Sequence, residues 1–276
     1  MANRSAEMRV RSMLGAALLG MTMTASAAPN LAEILAGPQR SAENRARDVY
    51  RHPAETLAFF GLKPGQHVVE VWPGAGWYAE ILAPYLRESG QYTAAAFVVK
   101  GSDVPQWRID SVAGLRARFE AEPAVFGNPE ITEVGLPEAW TAAQPGSADL
   151  VLTFRNVHNW LKGDFERRMF KAFYKALKPG GVLGVVEHRA RPGTSLEKMI
   201  SSGYVTEALV IERAESAGFK LEARSEINAN AKDSTDHPEG VWTLPPTLRL
   251  GDQDRAKYVA IGESDRMTLR FVKPAR

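Results

Sequence analysis

The 276-residue sequence has no cysteine. That excludes a disulfide framework, a thiolate metal site and a cysteine nucleophile. Histidine is scarce, five residues in all, so imidazole chemistry has few places to reside. No apolar run approaches the ~20 residues needed to span a bilayer, and there is no internal repeat or low-complexity tract. Charge of one sign is also missing. The slight basic excess of the whole chain, 34 Lys and Arg over 32 Asp and Glu, belongs to residues 1–28, which hold Arg4, Arg9 and Arg11 against Glu7. The remainder carries equal numbers of basic and acidic side chains, which leaves no electrostatic footprint for nucleic acid.

Those first 28 residues have a pattern of their own. Arg9 and Arg11 precede the apolar run Met13 to Met21, and Ala25-Ser26-Ala27-Ala28 then offers small residues for cleavage. A positive region, a short apolar core and an A-x-A site make a secretory signal. The expected mature protein starts at Ala28 or Pro29, is exported to the periplasm and keeps no stable membrane anchor. With 45% hydrophobic residues, residues 29–276 suffice for one domain with a full core.

The remainder is organised around Val68-Val69-Glu70-Val71-Trp72-Pro73-Gly74-Ala75-Gly76-Trp77. Val68 to Val71 reads as a buried strand. Pro73 ends it, and Gly74 and Gly76 allow a tight turn. Tyr78, Ile81, Leu82, Tyr85 and Leu86 then recur at helical spacing. Strand, glycine turn and helix together present bare backbone N–H groups and a helix N-terminus to a nucleotide-like ligand.

Periodicity and punctuation predict further elements: a charged helix over 41–51, helices over 54–60, 104–121 and 205–217, and one capped by Asp164 that runs to Leu177. Strands are expected at 91–98, 131–134, 148–154, 182–187, 219–225 and 267–272. Strands alternating with helices imply a parallel sheet covered on both faces. Two long polar segments interrupt the alternation, about 189–203 and 227–262, and loops of that length in a compact domain are usually functional or disordered.

Several short motifs resemble the class I S-adenosylmethionine-dependent methyltransferases. Glu70-x-x-Pro73-Gly74-x-Gly76 is similar to that family's first motif, and Ser147 to Val151 to its fourth-strand motif. Leu177-Lys178-Pro179-Gly180-Gly181-Val182-Leu183 resembles the turn into its fifth strand, and Ala217-Gly218-Phe219 the entry to its sixth. Residues 153–160 and 240–246 look like an exported bacterial subgroup of predicted methyltransferases. The resemblance implies an α/β, Rossmann-like three-layer sandwich with a seven-stranded, mostly parallel sheet whose last strand is antiparallel. It also implies S-adenosylmethionine as cofactor and a small-molecule acceptor. Two departures stand out. Trp72 occupies the place of the family's first glycine, where its indole would stand in the cofactor's path. The second strand ends in Ala94-Ala95-Ala96-Phe97 without the carboxylate expected to hold the ribose. Gly74-Ala75-Gly76-Trp77-Tyr78-Ala79 also matches a dinucleotide fingerprint, which wants an acid in the same place; the Lys178-Pro179-Gly180-Gly181 turn favours the methyltransferase fold.

On this basis the cofactor-binding candidates are Glu70, Trp72, Gly74, Gly76, Trp77, Phe97 and Asn156. Ligands sit beyond the carboxyl ends of the strands in such sheets, which makes His158, His188, Glu187 and Arg155 the catalytic candidates. A histidine there would serve as base, and Arg155, Arg189 and Arg191 could clamp a carboxylate or phosphate. His158, His188 and His237 with Asp236 share no metal-ligand spacing, so no metal is expected. A non-catalytic binding module that keeps the fold is the alternative.

Overall fold

A computed structural model describes residues 30–275; the signal expected over residues 1–28 lies outside them. Eight strands form one sheet: β1 (His67–Val71), β2 (Gln91–Ala96), β3 (Glu130–Gly135), β4 (Ala139–Trp140), β5 (Ala148–Phe154), β6 (Leu177–His188), β7 (Lys220–Ser225) and β8 (Arg266–Val272). Their order is β4-β3-β2-β1-β5-β6-β8-β7. β3, β2, β1, β5 and β6 run parallel, and β8 is antiparallel to both β6 and β7. The expected seven strands are all present. The eighth is β4, two residues that turn back on Val134 and Gly135 and give too short a run for its periodicity to be read.

Alternation along the central strands sends side chains to two cores. Val69 and Val71 of β1 and Val151 of β5 join Met169, Phe170 and Phe173 of helix Glu166–Ala176 on one face. Val68, Leu150, Leu152 and Phe154 join Leu57 and Phe60 of helix Pro53–Phe60 and Ile81 and Leu82 of helix Ala79–Leu86 on the other. Glu70 shares the face of Val68, which places a carboxylate inside an apolar layer. Chain order reverses between β1 and β5, so a crevice opens above their carboxyl ends.

Three local expectations change. The charged helix over 41–51 divides into Ala42–Arg45 and Asp48–Arg51. The break lets Asp48 turn back to Arg40 (Oδ1 to Nη2, 2.7 Å) while Arg47 and Arg51 reach Glu263. Asp164 is not a helix cap: it has φ 55°, outside the extended region a cap needs, and follows a short helix, Val157–Lys162, that the sequence did not announce. The Lys178-Pro179-Gly180-Gly181 turn lies within β6 itself, as an excursion between the pairs Ala148–Leu177 and Leu150–Val182. Gly180 there has φ 79° and donates its N–H to the Lys273 carbonyl.

The two interrupting segments are partly ordered by helices. The first holds Leu196–Ser202, capped by Ser195. The second holds a 3-10 turn, Gly240–Thr243, and helix Arg255–Ile261. Among the described residues no helix is long and apolar enough to cross a membrane.

Candidate functional site

A cleft of about 280 Å³ opens at the β1–β5 switch point, near the low end of the ~300–1,000 Å³ usual for small-molecule sites. Its floor is the glycine turn. Trp72, Gly74 and Gly76 have φ of 51°, 58° and 84°, so the chain leaves β1 through three left-handed residues. The two glycines are not equivalent. A Cβ on Gly76 would come within 3.0 Å of Leu115 Cδ1 and 3.4 Å of Ala79 Cβ, whereas one on Gly74 would meet nothing within 4 Å. Gly76 is therefore required by packing, and Gly74 is the residue that faces open space. The Gly76 N–H bonds the Pro73 carbonyl; the N–H groups of Gly74 and Ala75 find no partner among the described residues.

Trp72 does not obstruct the cleft as expected. Its N–H bonds the Ala95 carbonyl, and its indole Nε1 donates to the Val134 carbonyl at 2.8 Å. The ring packs against Phe97, Trp160 and Phe165 at centroid distances of 4.7, 5.9 and 6.0 Å. The left-handed backbone turns the indole into the core, where it contributes to the cleft only as wall. Phe97 is buried between Trp72 and Trp107. Glu70 is the sole carboxylate among the lining residues. Tyr92 Oη donates to its Oε2 at 2.6 Å, yet burial raises its pKa to about 7 against the opposing pull of Tyr92 and Arg155.

The rest of the wall comes from upstream of the sheet, a contribution the sequence did not reveal. Asn44, Arg47 and Arg51 line the cleft opposite Phe154, Arg155 and Asn156. Asn156 Nδ2 donates to the Val71 carbonyl at 2.9 Å, tying the end of β5 to the end of β1. Tyr78 stacks on Phe154 at 3.6 Å. Trp77, held by Nε1 on the Asn44 carbonyl, lies under the guanidinium of Arg51 at 4.5 Å. Glu263 pairs with Arg47, Arg51 and Arg266. Burial and the neighbouring Arg155 push Arg51 well below its ordinary pKa, and burial and Arg266 push Arg155 down to about 10. The only signal for this wall was the density of arginine between 40 and 51, and nothing local says where such a stretch folds.

The histidine candidates converge, but beside the cleft and not in it. His158, Glu187 and His188 are all buried, and neither histidine is among the cleft's lining residues. Glu187 Oε1 lies 3.0 Å from His158 Nδ1 and accepts the His188 N–H at 2.8 Å; its Oε2 accepts the His158 N–H at 3.2 Å. His188 Nδ1 meets Ser264 Oγ at 2.6 Å, and the two rings are 5.2 Å apart. Trp242, from the second interrupting segment, stands 6.0 Å from the His158 ring. His158 Nδ1 thus faces the Glu187 carboxyl, which leaves Nε2 as the ring nitrogen with no hydrogen-bond partner among the described residues.

The same trio offers ligand atoms all within 4.8 Å of one another, a closeness that sequence spacing did not predict. Burial, then the charges of His158, Arg266, Arg155 and Arg51, hold His188 well below its ordinary pKa. His237 belongs elsewhere, with Nε2 2.8 Å from Asp233 Oδ1. Arg189 is no clamp either: Asp265, Glu226 and Glu207 occupy its guanidinium.

No protein-family model matches the chain, and no curated protein matches it in sequence. Solved structures do. A SAM-dependent methyltransferase from Aquifex aeolicus superposes with TM-score 0.53 at 16% identity, over 88% of this chain and 98% of that one. A SAM-dependent methyltransferase from Methanosarcina mazei gives 0.52 at 10% identity, over 80% and 97%. The [4+2]-cyclase SpnF gives 0.55 at 19% identity, over 87% and 85%.

The fold is that of the methyltransferases. In a methyltransferase-fold sheet the open side of Gly74, with two unpartnered N–H groups beside it, fits a ligand that needs close backbone approach. Just past the end of β2, Phe97 lines the cleft at the position where the family resemblance leads one to expect a carboxylate. The cyclase carries the same fold under a different reaction name, and activity must therefore be argued from the site.

Proposed function

We propose that the protein binds S-adenosylmethionine in the Gly74 cleft and transfers its methyl group to a small molecule in the periplasm. The observation that carries this is the turn itself, where Gly74 leaves space for a ligand and the Gly74 and Ala75 N–H groups lack partners. When bound, the cofactor supplies an electrophilic methyl on a sulfonium. The residues that would hold it are Gly74 and Ala75 through their backbone, Asn156 at the end of β5, and the aromatic wall of Trp72, Phe97 and Tyr78. His158 is the base, oriented by Glu187 so that Nε2 is free to take the acceptor's proton. The signal pattern in residues 1–28 supports the compartment.

A second assignment, a binding module without catalysis, is favoured by the position of the histidines outside the lining residues. Calorimetry with S-adenosylhomocysteine and a methyl-transfer assay separate the two. The mature wild type should bind, and Gly74→Ala should weaken binding at least tenfold with only the modest loss of melting temperature that a side chain at φ 58° brings. Gly76→Val should lose more thermal stability, through its clash with Leu115. His158→Ala should bind normally and lose about 10²–10⁴-fold in transfer rate. Wild type that binds neither cofactor form overturns the proposal, and binding without transfer to any acceptor class leaves the binding module.

A further inference from the structure

Cations outnumber anions around the cleft. Arg47, Arg51 and Arg155 line it together with Glu70, and Arg266 stands behind, bonded to Glu263. Four guanidinium groups thus face two carboxylates, and one of the two, Glu263, is shared among three of the arginines. The Arg155 guanidinium makes no hydrogen bond with any described residue; only its backbone N–H does, donating to the Val186 carbonyl. Arg51, only 3% exposed, has a buried Nη1 with no partner. Nε of Arg108, Arg266 and Arg270 is also buried without a partner among the described residues, and at each such nitrogen the unmade bond costs the desolvation of the group. The arrangement suits an anion whose oxygens would bond the Arg155 guanidinium and Arg51 Nη1.

The cofactor proposed above cannot complete the balance. It carries one carboxylate, one ammonium and one sulfonium, a net single positive charge, and its entry would add to the excess. We infer that the acceptor sharing this cleft is a small anion, bearing carboxylate or phosphate oxygens that Arg155 and Arg51 bind. The inference rests on the methyl-transfer proposal for the word acceptor, but the anion site stands on the arginines alone. An anionic acceptor would also make the two ligands mutually supportive, each offsetting the other's charge.

The test uses the mature protein with inorganic phosphate and with malonate as probes, by calorimetry at low ionic strength, with and without S-adenosylhomocysteine. Saturable binding of at least one probe is expected in the absence of any adenosyl ligand. Arg155→Gln should weaken it about tenfold or more, the equivalent of one charge-assisted bond. Because Arg51 supports the fold through Glu263, Arg155→Gln is the primary variant, and a melting curve confirms that it folds. The cofactor's own carboxylate is the rival source of the same chemistry, and 5′-methylthioadenosine, which lacks it, distinguishes the two. If Arg155→Gln weakens S-adenosylhomocysteine but leaves methylthioadenosine and the free anions unchanged, the arginines serve the cofactor and the inference fails. It fails equally if neither anion binds wild type. Loss of anion binding in the variant with S-adenosylhomocysteine affinity retained supports it, and does so even if methyl transfer is never detected.

Discussion

Glu70 shows how a single residue in the methyltransferase-like motif acquires its properties from position. It is the carboxylate at the end of a buried strand, on the face of Val68, and its acid strength is set by the apolar layer around it. Its pKa, about 7 in the fold against 4.5 ordinarily, has a definite consequence for stability. A raised carboxyl pKa means the folded state holds the proton more tightly, so stability falls as pH rises from about 4.5 to about 7 and is constant above. Glu70→Gln keeps an acceptor for Tyr92 without the charge. The variant should therefore gain melting temperature relative to wild type across that window, with a plateau near pH 8 on the order of 3 kcal/mol. Melting curves of both proteins between pH 4.5 and 8.5 check this; parallel curves would show that burial does not perturb Glu70.

Among the elements, what was legible and what was not divides along the sheet. The strands were legible because buried strands leave apolar runs, and the helices because Met169, Phe170 and Phe173 keep helical spacing. The most specific motif, Lys178-Pro179-Gly180-Gly181, lies at the amino end of β6, the opposite edge of the sheet from the cleft. It identifies a fold and supplies nothing to the site. The histidine cluster was half legible. His158, Glu187 and His188 follow β5 and β6, and parallel neighbours end side by side; that Glu187 would take three N–H donors was not readable. The arginine wall was hidden, because its partner Glu263 stands 216 residues after Arg47. That contact also makes a prediction between elements. Glu263→Gln leaves Arg47, Arg51 and Arg266 without their shared counter-charge, and breaking such a buried pair typically costs about 3–5 kcal/mol. Because its neighbours hold the Glu263 carboxyl far below the ordinary range, the stabilisation is present above about pH 4.5 and fades as pH falls. Chemical denaturation at pH 7 should show the loss. An unchanged midpoint would mean the network contributes nothing.

For the molecule as a whole, the exported state is the expectation with the widest consequences, since it decides which pool of ligands the cleft meets. Residues 1–28 carry every charge that unbalances the chain, and removal at Ala28 or Pro29 leaves a neutral protein. N-terminal sequencing of protein recovered from the periplasmic fraction should begin at one of those two residues. Intact Met1 in a purely cytosolic fraction would put the protein in contact with cytosolic cofactor instead.

The interlocking of distant segments also sets an order of assembly. β7 touches the sheet only through β8, which inserts between β6 and β7; Arg47, in the turn between two short helices, and Arg51, at the end of the second, are both held by Glu263, just ahead of β8. A chain that has folded as far as β6 thus has its glycine turn and, through Arg40 and Asn44 on Glu80 and Trp77 on the Asn44 carbonyl, part of the wall facing it, but not the carboxylate that gathers Arg47 and Arg51. Full ligand-binding competence should therefore arrive with the closure of the sheet by β8.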